Sequence, residues 1–152
     1  MHMKDAIKFA LTISNGSVLS VIDEMSDAAT TFPTPNGGCH PLWVLGHLTL
    51  VEGMIPATLF GEKNPVAEWQ QYFGENSKPV ADAGAYPPFA EVREKYLQLR
   101  ERNLNILESL SEADLRQAHS RAAQGTGTRV RHVRAELPCA GPASGDAPRQ
   151  LD

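Results

Sequence analysis

The sequence predicts an all-α fold of the four-helix-bundle type, and three observations carry that prediction. Apolar residues recur at helical spacing over two long segments near the ends of the ordered-looking region. Between them lies a shorter segment, Pro41 to Met54, in which an apolar stripe includes a histidine. A long stretch rich in proline and glycine then separates the second helical segment from the third, as a crossover in a bundle requires.

The first helix is expected over about Lys4 to Ala29, where Ile7, Leu11, Val18, Val21, Ile22 and Met25 share a face. Asn15-Gly16-Ser17 is a weak point within it, where a kink is expected. Thr31 to Cys39 contains Pro33, Pro35 and Gly37-Gly38 and is expected to be a loop. Proline suits the first turn of a helix, so Pro41 starts the second helix and His40 lies at its N-terminal boundary.

Within the second helix Trp43, His47, Leu50 and Met54 are spaced to lie on one face, so His47 is expected to point at other helices. Gly46 beside it would let a neighbouring backbone approach closely. A histidine on an apolar stripe is either a hydrogen-bonded core residue or a metal ligand waiting for partners. His40 does not supply the partner, because two turns of helix hold the residues about 10 Å apart and ligand bonds are about 2 Å long. Glu52 falls on a different face from His47 and is expected to be a surface or inter-helix polar residue.

Phe60 to Pro88 forms the crossover, with Gly61, Pro65, Gly74, Pro79, Gly84 and Pro87-Pro88 among the aromatics Trp69, Tyr72, Phe73 and Tyr86. It is expected to join helices that are not simple hairpin neighbours, and its aromatics to line a cleft or to pack as a lid. Glu91 to Leu110 is the third helix, carrying Val92, Tyr96, Leu99, Leu104, Ile106, Leu107 and Leu110. Ser111 followed by Glu112 and Asp114 marks a capped short turn after it.

The arrangement Trp43-x-x-x-His47, followed by Leu48 and Glu52, resembles the second helix of the DinB-like superfamily. The likeness extends from the first helix, with its Asp23-Glu24-Met25 end, through the proline-rich turn and the crossover to the third helix. It implies a four-helix bundle in which three histidines from two helices hold a divalent ion, zinc or nickel. It also implies an open coordination position, at which the ion would lower the pKa of bound water or of a substrate thiol. Relatives of this kind include thiol S-transferases, metal-dependent hydrolases and a thiol-dependent isomerase. A small molecule or low-molecular-weight thiol is the expected partner, and His47 is the residue that matches a metal ligand.

The chain departs from that pattern at its end. Residues 1–117 read as the helical domain and 118–152 as an aberrant, poorly ordered tail: from Ser120 onward there is no aromatic residue and no lysine, and glycine and proline are scattered. The last helix is missing or replaced, which would leave an apolar seam uncovered. Codons permitted for Arg121 to Leu151, read one nucleotide later, encode an apolar helix ending His-Gln-Val-Met-His-Arg-Gly. Its histidines arise at the codons of Ala143 and Ala147, so the code permits a neighbouring frame with a helix like this family's last one, and a frameshifted C-terminus is expected. As written, the chain keeps only His47 of the triad, and it is expected to be metal-free and inactive. The alternative is a non-enzymatic helical module that dimerises through its bundle faces.

Charge and composition narrow the partners. A net charge of −4 and a pI near 5.7 give no general attraction to nucleic acid or anionic membranes. The local run Arg129 to Arg134 lacks interleaved aromatics. His119 and His132 lack ligand spacing and carry no assignment. No apolar run is expected to reach the roughly 20 residues of a bilayer span. Lys4, Asp5 and Lys8 do not suit a signal peptide. Cys39 and Cys139 show no zinc-like spacing, which points to reduced thiols and a cytoplasmic location.

Overall fold

The computed structural model describes residues 2–25, 30–31 and 38–117. The predicted tail, with His119 and His132, lies outside them. Among the described residues there are three long helices: α1 (Met3–Glu24), α2 (Pro41–Phe60) and, after a short α3 (Gln70–Phe73), α4 (Phe89–Ser109). Single 3-10 turns at Ala67–Trp69 and Ala83–Ala85 shape the crossover. No strand occurs among these residues.

α2 starts where Pro41 places it and stops at Gly61, whose φ of 71° is the left-handed conformation that ends helices at little cost to glycine. It is apolar almost all round, and Leu42, Trp43, Leu45, Thr49, Leu50 and Pro56 are all buried. The expectation that no segment is long and apolar enough to span a bilayer is therefore corrected. α2 meets that length and composition, but half of the qualifying stretch is buried inside the domain.

The chief partner of α2 is α4, which contributes Val92, Tyr96, Leu99 and Leu107 to the core. The two helices run parallel: His40 meets Tyr86 just before α4, and further along Glu52 meets Arg100 and Asn103. Parallel neighbours cannot be joined by a tight turn, so the crossover must carry the chain back along α2 before α4 begins. Its aromatics are spent on packing. Trp69, Phe73 and Tyr86 join the core, with Tyr86 stacked on Phe73 at a centroid separation of 5.4 Å.

α1 runs antiparallel to α4 and is fastened mainly near its ends. Lys4 and Lys8 reach Glu108 and Glu112, while Arg93 pairs with Asp23 at 2.7 Å. It is continuous through Gly16. Of its expected apolar face Ile22 is buried, Ile7, Leu11, Val18 and Met25 are half-buried and Val21 is exposed, while Phe9 and Ile13, outside that face, are exposed as well. After α4 the predicted turn forms: Ser111 Oγ accepts from the Asp114 amide, and the Asp114 carboxylate accepts from the Ser111 amide at 2.9 Å. The Ser111 hydroxyl also donates to that carboxylate at 2.6 Å, and this bond, with the one from the amide, holds the Asp114 carboxyl below its usual pKa.

Cys39 is disulfide-bonded, which corrects the expectation of reduced thiols and removes the cysteine argument for a reducing compartment.

Pro56 sits inside α2, where it can give no amide hydrogen to the carbonyl of Glu52 one turn earlier. Asn103 of α4 fills the gap: its Nδ2 donates to the Glu52 carbonyl at 3.0 Å and to Glu52 Oε2 at 2.7 Å. Asn103→Leu removes both bonds and leaves a buried carbonyl unsatisfied, so unfolding in urea should show a loss of about 1–3 kcal/mol. An unchanged midpoint would mean that water serves the carbonyl equally well.

Candidate functional site

α2 carries His47 to the edge of its packed face. The residue is half-buried, and outward of it Val44, Val51 and Met54 are exposed. Within the crossover the last residue of the short α3, Phe73, lies against its ring. Trp43, one turn earlier, stacks on it with centroids 5.0 Å apart and planes 7° from parallel. The Trp43 indole is itself held by Ser77 Oγ, which accepts from Nε1 at 2.8 Å.

The other restraint is the carbonyl of Phe73, 2.8 Å from His47 Nδ1. A carbonyl only accepts, so Nδ1 carries the hydrogen and the neutral ring has its lone pair on Nε2. Metal-binding histidines are commonly oriented in this way, with one ring nitrogen donating to a backbone carbonyl and the other free for the ion. Gly46 makes the contact possible. A Cβ there would overlap the Phe73 ring, so the close approach foreseen at Gly46 is made by a side chain and not by backbone.

His47 opens on a cleft of about 580 Å³ along α2, whose wall is mostly apolar: Leu50, Met54, Ile55 and Leu59. Its polar groups come from Thr58 and from the crossover residues Gln70 and Glu75. Such a cleft suits a small, largely apolar molecule with a few polar atoms to orient it. Sequence reasoning missed Gln70 and Glu75, and nothing in the local pattern marks them.

The remaining candidates are placed elsewhere. Glu52 is an inter-helix residue: buried at 5 % exposure, it pairs with Arg100 at 2.8 Å. His40 is buried at the start of α2, at the boundary its sequence context indicated, and does not line the cleft. His2 begins α1 and is exposed. Among the described residues no three His, Cys, Asp or Glu side chains gather into a metal-binding group. His47 therefore fits an ion in tautomer but not in number of donors, since one imidazole does not hold an ion at useful affinity.

Comparison with curated proteins finds no match, and neither does comparison with solved structures. The sequence does match the DinB superfamily over residues 10–134, a span that takes in α2, the crossover and α4. The all-helical architecture of the described residues agrees with that match, and the chain belongs to the DinB superfamily.

Proposed function

We propose that His47 is the surviving ligand of a divalent-metal site built for thiol S-transfer or hydrolysis, and that this chain as written does not hold the ion. The observation that carries the proposal is the hydrogen bond from His47 Nδ1 to the Phe73 carbonyl, which leaves Nε2 as the acceptor beside an apolar cleft. Zinc or nickel suits imidazole ligands, and a small molecule or low-molecular-weight thiol suits the cleft. The family match ends at residue 134, before Ala143 and Ala147, where the neighbouring frame would supply the other two histidines. No step is assigned to the metal in this chain. What the chain retains is a neutral imidazole able to accept a hydrogen bond from a thiol or hydroxyl.

The test compares metal content in two proteins: this chain, and one in which residues 121–151 are replaced by the neighbouring-frame segment. Elemental analysis should find about one zinc or nickel ion per repaired chain. His47→Ala should abolish that binding, and the original chain should carry no stoichiometric metal. A repaired chain that folds without binding metal would overturn the proposal.

A second reading has its own support. Phe9, Ile13 and Val21 on α1 and Val44, Val51 and Met54 on α2 leave apolar surface exposed, as a non-enzymatic dimerisation module would. Sedimentation of the original chain separates the two. A stable dimer that persists in His47→Ala, together with a metal-free repaired chain, would favour the module.

A further inference from the structure

His40 caps α2 through its ring, an unusual choice where Ser, Thr, Asp or Asn is the rule. Its Nδ1 accepts from the Trp43 amide at 3.1 Å, so that nitrogen carries a lone pair and the hydrogen resides on Nε2. Nε2 then donates to the Tyr86 hydroxyl at 3.3 Å, and the same hydroxyl accepts from the Val80 amide at 2.8 Å. One buried ring, 2 % exposed, thus ties the first turn of α2 to two points of the crossover.

We propose that His40 is an acid-sensitive latch: a proton on Nδ1 turns the cap acceptor into a donor facing the Trp43 N–H, and the first turn of α2 loses its cap. The groups that face the ring are few. From α2 there is the Trp43 amide, and from the crossover the Tyr86 hydroxyl and the Val80 carbonyl; the Thr30 carbonyl faces it from the segment before. Tyr86 is the titratable side chain in contact with it, and no charged side chain among the described residues acts on it. Burial lowers the His40 pKa, and the carbonyls of Val80 and Thr30 oppose this more weakly.

The direction of the effect follows from linkage. Because the folded state disfavours the charged ring, the unfolded chain binds more protons once the pH falls below about 6.5. The stability contributed by the latch is complete above that pH and is lost as the pH drops toward the lowered folded pKa.

The test is urea unfolding of the full chain between pH 7.5 and 5, with His40→Asn as the comparison, since asparagine can cap α2 without titrating. In the parent the folding equilibrium constant should fall by up to about tenfold more per pH unit below about 6.5 than in the variant. Equal pH dependence in the two proteins would overturn the proposal. Should His40→Asn fail to fold, nitrogen-15 spectra of the parent decide. The His40 ring should pass from the Nε2–H tautomer to imidazolium together with loss of protection at the Trp43 amide. Titration of the ring with that amide still protected would equally overturn it.

Discussion

Glu52→Ala is expected to be among the most damaging single substitutions in this domain, with a loss of about 3–5 kcal/mol in urea unfolding. The reason is what it leaves behind. Arg100 is 7 % exposed, and its Nη2 donates to the Tyr96 hydroxyl at 3.1 Å while pairing with Glu52. Its Nε and Nη1 have no acceptor among the described residues. Without the carboxylate, a guanidinium would remain in the core with the Tyr96 hydroxyl as its hydrogen-bond acceptor. A buried pair is seldom a large net source of stability, because desolvating both ions cancels most of their attraction. The double substitution Glu52→Met with Arg100→Leu should therefore recover much of the loss. If the single substitution costs under about 1 kcal/mol, the pair must be solvated in a way the structure does not display.

Phe73→Ala is the second large effect, again about 3–5 kcal/mol, since it empties a fully buried position between α2 and the crossover. The Phe73 ring meets Trp69, Tyr72 and Tyr86 and fills the space over Gly46. Its loss should also free the His47 ring. Nitrogen-15 spectra of the variant should show a mixture of imidazole tautomers in place of Nδ1–H alone. Gly46→Ala damages the same contact from the other side by overpacking, at about 1–3 kcal/mol. The two changes should not add. In the Phe73→Ala background the extra methyl at Gly46 meets no ring, and the second substitution should cost less than it does alone. Strict additivity would show that Gly46 and Phe73 are not coupled.

The local rules of chain geometry made a good part of this legible from sequence. Pro41 marked the start of α2 and placed His40 at its boundary; Ser111 and Asp114 marked the last turn. The apolar spacing of α4 identified its buried face, as Val92, Tyr96, Leu99 and Leu107 confirm. Failures concentrate where the pattern is degenerate. α2 is apolar on nearly every side, so spacing alone could not say which side lies against α4 and which borders the cleft. Pairings across long sequence separations were likewise invisible. Nothing near Pro56 announces that Asn103 will serve the carbonyl the proline strands, and nothing near Glu52 announces Arg100. The hydrogen bond that selects the His47 tautomer comes from a backbone carbonyl, a group every residue possesses.

The parallel course of α2 and α4 also dictates an order of events during synthesis. α2 leaves the ribosome early, but the residues that cover it, from Val92 to Leu107, are translated only after the whole crossover has been made. Until then the nascent chain displays a helix as apolar as a bilayer span with no native surface to receive it. The preceding helix offers little shelter, because α1 makes its main helix contact with α4 rather than with α2. The bond between Asn103 and Glu52 closes over 51 residues of sequence, so it waits until most of α4 has been made. A nascent chain that stalls before α4 is complete leaves its most apolar segment without the surface that covers it in the fold, which is where aggregation would begin.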